Sequence, residues 1–289
     1  MFKKGVITDE ISQEFQTAVD LALKYKLDGV EIRSVWEKNP HELDKNDISK
    51  IKTILSDTGL VACGISAPFF KCSIDDNKEI DTHIEILKKS MELANQIGTK
   101  FVRGFTFWKN NGDFDTDLDK IVSKFEKPVE LLKKENITLA LEFDPSVYAT
   151  NAKKLVKVIE KINSPFVKGL WDPGNDIYDP DGETPYPEGY EIIKKHMVHM
   201  HLKDAVRGSD GKATGVPIGE GQVDYAGHFK ALKQDGYDGF VVLETHYRPK
   251  HDIDEKLMAL PKGSAFSYMG YEATEECLIK WQELLDNLK

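Results

Sequence analysis

Cysteine is scarce in this chain of 289 residues: Cys63, Cys72 and Cys277 are the only three. They show no CxxC spacing and no even-numbered framework, which excludes a disulfide scaffold and points to a reducing compartment. Long apolar runs are missing as well. No stretch approaches the ~18 residues of a membrane span, and the opening MFKKGVITDEI lacks the apolar region of a secretion signal. A cytoplasmic protein with no membrane partner is expected. Positive charge is in deficit, with Lys+Arg 39 against Asp+Glu 49 and a formal net charge of -10. Such a balance argues against nucleic acid as a partner. Neither GxxxxGK[ST] nor GxGxxG occurs, so the usual argument for a nucleotide cofactor is absent. No Gly/Ser-repetitive linker interrupts the chain, and residues 1–289 read as a single domain.

What the chain does have is alternation. Strand-like runs are expected at 5–11 (GVITDEI), 28–34, 60–66, 100–107, 137–143, 167–172, 197–202 and 239–245. Between them lie segments with apolar residues at helical spacing. These are Gln13–Lys26, Asp47–Ser56, a long helix carrying Ile84, Leu87, Met91 and Ala94, and Leu118–Glu135. Asn151–Ile162, a short Gly189–Lys195, Tyr225–Asp235 and a last helix over 272–288 complete the set. Gly59 and Gly98 stand where C-terminal caps belong. Eight strand-then-helix units predict an α/β fold, a parallel sheet closed into a (β/α)8 TIM barrel. The length is a little above the roughly 250 residues typical of one such barrel. Long loops are expected after strand six (176–188) and strand eight (246–271), where loops on the catalytic face carry specificity or act as lids.

Four of those strands end in a group able to bind a divalent cation: ITLALE at Glu142, VKGLWD at Asp172, MVHMH at His201 and FVVLE at Glu244. Strand carboxyl ends converge on one mouth of a parallel barrel, where catalytic groups sit. Side-chain alternation puts Leu139, Leu141, Val241 and Leu243 toward the helices and Ala140, Glu142, Val242 and Glu244 toward the axis. Inward carboxylates without a partner would be costly, and a shared cation removes that cost. Hard oxygen and imidazole donors suit manganese first, with Mg, Co or Zn as alternatives. Asp172 also has the ordinary role of capping a turn at Pro173-Gly174. His199, one layer below His201, reads as structural or supporting.

Taken in order, Glu142 after ALE, Asp172 in WDPGN, His201 in HMHLKD, Glu220 in IGEGQVD and Glu244 in VVLE resemble the xylose isomerase-like TIM-barrel superfamily, in its sugar phosphate isomerase/epimerase branch. The resemblance runs strand by strand over most of the chain. It implies one divalent metal held by Glu142, Asp172, His201 and Glu244, and ketose or keto-sugar chemistry beside it. Many members carry His where Asn175 stands, which makes Asn175 a substrate-side position. The expected chemistry is removal of a weakly acidic proton beside a carbonyl, with the metal stabilising the enediolate and Glu142 and Glu244 as acid and base. Return of the proton on the opposite face gives epimerisation, transfer to the neighbouring carbon gives isomerisation, and loss of a β-hydroxyl gives dehydration. An isomerase or epimerase of a ketose or keto-sugar, free or phosphorylated, leads. A keto-inositol or keto-sugar dehydratase is the runner-up. An endonuclease with a multi-zinc site would need more histidines and a basic face, and a non-catalytic sugar-binding barrel would follow if the four ligands held no metal. A homodimer or homotetramer fits the resemblance.

Lys203, Arg103, His246 and Glu220 are further substrate-side candidates, Glu220 having an equal claim as a plain loop residue. Glu31 and Arg33 share a face of strand two and are expected to form an internal ion pair. Trp108, with Trp36, Phe69, Phe70 and Phe107, follows strands two to four, where aromatics either stack on a sugar or pack as core.

Overall fold

The computed structural model of the chain describes residues 2–249 and 267–288. Eight parallel strands close into a barrel: β1 (Lys3–Ile7), β2 (Gly29–Ile32), β3 (Val61–Phe69), β4 (Phe101–Gly104), β5 (Thr138–Glu142), β6 (Val167–Trp171), β7 (Met197–Leu202) and β10 (Phe240–Leu243). The last strand pairs with the first, Lys3 opposite Phe240 through Val6 opposite Leu243. The surrounding helices are α1 (Phe15–Lys24), α2 (Lys45–Thr58), α3 (Asn77–Ile97), α4 (Phe114–Ser123), α5 (Glu126–Glu135), α6 (Ala152–Ile162), α7 (Pro173–Tyr178), α8 (Tyr190–Ile193), α9 (Tyr225–Gln234) and α10 (Gly270–Asp286). No described helix is long and apolar enough to cross a membrane.

Alternation sorts the strand residues as expected. Leu139, Leu141, Val241 and Leu243 join Leu155 and Val158 of α6 in one continuous apolar cluster between sheet and helices. Val242 instead meets Ile7 and Cys63 in a separate small cluster, with Phe240 packed against it. That cluster is an apolar floor inside the barrel. Burying each such Val or Leu stabilises the fold by roughly 1.5–3 kcal/mol. Helix ends follow local chemistry. The Asp44 side chain accepts from Asn46 and Asp47 N–H at the start of α2, and Gly59 closes it with a left-handed φ of 72°, a conformation that favours glycine.

Four local features differ from the sequence expectation. Strand one stops at Ile7, and Thr8–Glu10 form a 3-10 turn with Asp9 and Glu10 buried. The helix expected over 118–135 is two helices, α4 and α5, broken at Lys124 and Phe125. Pro128 accounts for the break, since it has no N–H for the Lys124 carbonyl and its ring crowds that oxygen. The segment after β6 is long but opens with α7 rather than a loop. Residues 204–216, where no element was expected, form an antiparallel hairpin of β8 (Asp204–Arg207) and β9 (Ala213–Val216). The 246–271 loop expected after strand eight falls partly outside the described residues.

Candidate active site and metal centre

The four strand-end groups meet at the mouth. Glu142 closes β5, Asp172 follows β6, His201 lies near the end of β7 and Glu244 follows β10. All four are buried, and each offers a ligand atom within 4.8 Å of the others. His201 Nδ1 is 3.4 Å from Glu142 Oε1 and 3.7 Å from Glu244 Oε2, and it makes no hydrogen bond. Three carboxylates and an unbonded imidazole nitrogen around one point fit a divalent cation with mixed oxygen and nitrogen preference. Glu10, Glu244 and His246 form a second such group, and Glu31, His199 and His201 a third.

Asp172 makes the cap that the sequence offered and also lines the four-group cluster. Its Oδ1 accepts from Gly174 N at 2.9 Å and Asn175 N at 3.3 Å, capping α7, while Oδ2 faces Lys203 Nζ at 2.7 Å. A Cβ on Gly174 would lie 2.6 Å from the Lys203 carbonyl oxygen, so the glycine of WDPGN lets α7 begin hard against β7. Lys203 is buried between Asp172 and Glu244, 3.0 Å from Glu244 Oε2. Arg103 reaches Glu142 Oε2 at 3.1 Å, and Asn175 Nδ2 reaches Glu142 Oε1 at 3.3 Å and the Phe143 carbonyl at 2.8 Å. His246 Nε2 stands 3.5 Å from Glu244 Oε1.

Glu31 and Arg33 do not pair with each other. Arg33 binds Asp9, Glu10 (2.6 Å) and Glu244 (2.8 Å). Glu31 instead bridges His199 Nε2 at 2.6 Å and His201 Nε2 at 3.1 Å and accepts from the Ser66 hydroxyl. Position and reach explain the exchange: Arg33 lies just past β2 and its long side chain extends to the acids of the mouth, while the Glu31 carboxylate, inside the strand, stays beside the histidines of β7. A carboxylate at Nε2 fixes a proton there and leaves Nδ1 to turn toward Glu142 and Glu244. His199 is thus a supporting residue. Asp9 and Glu10 are site residues the sequence reading missed, because a continuous strand through Ile11 conceals the turn that brings both acids inward. The DE pair ahead of a helix was the available signal.

Burial and mutual charge set the protonation. Burial favours the neutral acid at Asp172 and, with Glu244 and Glu142 nearby, outweighs Lys203, pushing its carboxyl up to about 7. Burial alone would raise Glu244 too, but Lys203 and His246 hold it well below the usual range. Glu142 opposes its burial through Arg103 and His201 and is also lowered. His201 is raised well above an ordinary histidine because Glu31 and Glu142 outweigh its desolvation.

The remaining candidates divide. A cleft opens from the mouth, lined by Asn175 and His246 at its inner end. Trp108 is half-buried beside the cleft wall, with Lys71 Nζ 5.4 Å from its ring and 2.9 Å from Asp144, a wall residue. Glu220 is not brought into the site: it is exposed and pairs with Lys280 of α10 at 3.0 Å. Its motif is held by Asp204, which accepts from Ala205, Gly219, Gly221 and Val223 N–H, so HLKD and GEGQVD are tied together structurally. Phe69, Phe70 and Phe107 are fully buried and stack on one another at 3.9 and 4.1 Å, so they are core rather than a sugar platform. Trp36 carries Lys50 on its face at 4.4 Å.

Comparison with known proteins places the fold. The family description "Xylose isomerase-like TIM barrel" matches residues 19–263. L-ribulose-5-phosphate 3-epimerase UlaE of Shigella flexneri serotype 5b (strain 8401) is 26% identical over 235 residues, 78% of this chain and 79% of that protein. Among solved structures, a xylose isomerase domain protein from Planctomyces limnophilus superposes with a TM-score of 0.74 at 15% identity, covering 99% of this chain and 98% of that one. IOLI protein with a bound zinc atom gives a TM-score of 0.73 at 17% identity, covering 100% and 99%. At these identities the two superpositions speak for the fold.

Proposed function

The chain belongs to the xylose isomerase-like TIM-barrel family, and from that premise we propose that it is a divalent-metal-dependent epimerase of a ketose or keto-sugar. Glu142, Asp172, His201 and Glu244 are the metal ligands in this reading, and manganese is the first choice of ion. One observation carries it: two carboxylates, Glu142 closing β5 and Glu244 just after β10, flank the unbonded His201 Nδ1. The name of the UlaE relative favours epimerisation over isomerisation and dehydration.

A bound divalent ion supplies Lewis-acid stabilisation of the negative charge that develops on the substrate oxygens. The chain's own groups do the rest. One of Glu142 and Glu244, as the carboxylate, takes the proton from the carbon beside the carbonyl; the other, which must first take up a proton from solvent, returns it to the opposite face, and the two exchange protonation states in each turnover. Each step of this kind is worth ~10²–10⁴ in rate. Arg103 fixes Glu142, and Arg33 and Lys203 fix Glu244, so neither carboxylate has to reorganise during transfer. Asn175 bonds both Glu142 and a main-chain carbonyl, leaving it at the cleft's inner end to position a substrate hydroxyl.

The test is incubation of the manganese-loaded protein with a panel of ketoses and ketose phosphates in D2O, followed by NMR. Deuterium entering at the inverted carbon, with the epimer accumulating, is expected. Glu142→Gln and Glu244→Gln should each lower the rate by about 10³ or more. Appearance of an aldose or of a dehydrated product in place of the epimer would overturn the assignment.

A further inference from the structure

The hairpin that the sequence did not announce is docked on the mouth of the barrel. Gly215 of β9 lies so close to the chain after Glu244 that a Cβ there would sit 2.5 Å from the His246 carbonyl oxygen. Arg207 of β8 donates through Nη2 to the Ile177 carbonyl in α7, the helix that Asp172 starts, and through Nη1 to Gly211 O at 3.1 Å. The hairpin is therefore held to the segments that follow two of the four strand-end ligands. The cleft that begins at Asn175 and His246 runs out along it, and Arg207 and Lys212 line it there with Ser146 and Tyr178.

Charge makes this end of the cleft unlike the rest of the molecule. The chain carries a net charge of -10, yet two cations border the outer cleft. The acid that lines it, Asp144, is already engaged by Lys71 at 2.9 Å and by Ser146. Lys212 is exposed and has no ion pair among the described residues. Its backbone N–H is fixed by Asp210 at 3.1 Å, which holds the turn that presents it. Arg207 uses two of its five N–H donors on carbonyls, which orients the fork and leaves the others for an anion.

We propose that Arg207 and Lys212 form a subsite for a terminal phosphate monoester, so that the substrate is a phosphorylated ketose whose reacting carbons lie at the four-ligand centre. This rests on the epimerase reading for the inner end of the cleft and adds the recognition of the outer end. A guanidinium with two anchored donors beside an exposed ammonium is the pairing that suits a dianionic, three-oxygen group better than a neutral hydroxymethyl. In an acidic protein, a local cationic end also draws an anionic ligand to this part of the cleft.

The experiment is calorimetric binding of L-ribulose 5-phosphate and of L-ribulose to the manganese-loaded protein, with proton exchange followed by NMR in the same samples. The wild-type protein should prefer the phosphorylated ligand by on the order of tenfold or more, the scale of a charge-assisted contact. Lys212→Gln, at an exposed position, should reduce that ratio several-fold, and Lys212→Arg should restore it. Arg207→Gln should reduce it further, and inorganic phosphate should compete with the phosphorylated ligand alone. Equal affinity for the two ligands in the wild-type protein, or a preference that survives Lys212→Gln combined with Arg207→Gln, would overturn the subsite. A phosphate preference without proton exchange would support the subsite and count against the epimerase. Exchange with no phosphate preference would do the reverse.

Discussion

Val242 and Glu244 are two residues apart on one face of β10 and its extension, yet they sit in opposite environments. Val242 belongs to the apolar floor with Ile7 and Cys63. Glu244 belongs to a cage of charges in which Arg33, Lys203 and His201 lie between 2.8 and 3.7 Å away. The floor is stabilised by removing apolar surface from water. The mouth places Glu142, Asp172, Glu244, Glu10 and Asp9 out of water, against Arg33, Arg103, Arg248, Lys203 and His201. Desolvation makes such a cluster neutral or unfavourable for folding compared with an apolar core. One strand therefore holds the barrel together at its lower end and tolerates an electrostatic burden at its upper end, where chemistry needs it.

The comparison breaks most sharply at Lys203. Lys203→Met leaves Asp172 and Glu244 without the ammonium at 2.7 and 3.0 Å. The metal-free variant should lose about 3–5 kcal/mol of stability, the usual consequence of stranding a buried partner. Saturating Mn²⁺ should erase most of the difference from the equally loaded wild type, because the ion replaces the missing positive charge. Thermal melts of both proteins, with and without metal, decide it; an equal deficit in both states would mean Lys203 packs rather than balances charge. Val242→Ala tests the floor. It should cost about 2–3 kcal/mol through lost burial and a residual cavity, while Mn²⁺ affinity stays at the wild-type value. A matching fall in metal affinity would show that floor and mouth are not separable.

Glu31→Gln acts at the boundary between the two regions. The amide keeps the shape but no longer offers a carboxylate to His201 Nε2 and His199 Nε2. Metal affinity should fall by about 10–100-fold, as for other groups that orient a ligating histidine, with the melting temperature of the metal-free protein changed far less. Titration of Mn²⁺ into both proteins would settle this, and an unchanged affinity would remove Glu31 from the site.

The uneven legibility of the sequence follows the same division. Barrel strands announced themselves because alternation and burial on both faces leave a short apolar run ending in a polar group, and Glu142, Asp172, His201 and Glu244 could be read from that alone. Partners inside the mouth could not. Arg33 reaches Glu244 across 211 residues of chain and Glu31 reaches His199 across 168, and same-face logic on one strand paired the two with each other. Pro128 was a readable helix break passed over by the periodicity around it. The β8–β9 hairpin is mostly polar and sits on the surface of the mouth, so no hydrophobic period marked it, although Asp210-Gly211 is a turn signal. Glu220 was open to both readings, a plain loop residue or a substrate-side one, and its motif is held for structural reasons by Asp204.

The smallest effect concerns protons, and it sharpens how the cage is prepared for an ion. Metal ligands must be deprotonated to bind. In the metal-free protein burial pushes Asp172 up to about 7, and the carboxylates around His201, chiefly Glu31 and Glu142, raise it well above an ordinary histidine against its desolvation. Both shifts favour the protonated form, so near pH 6 each group holds a proton that the ion must displace. Apparent Mn²⁺ affinity should then rise with pH, by about tenfold per unit for each proton released, and the dependence on Asp172 should flatten above about 7. Calorimetry in two buffers of different ionisation enthalpy counts the protons directly. A count between one and two at pH 6 fits a cage whose metal-free form is held together by protons and Lys203. A count of zero would mean that Asp172 and His201 already stand as bare ligands, with the carboxylates of the mouth balanced by Arg33, Arg103, Arg248 and Lys203.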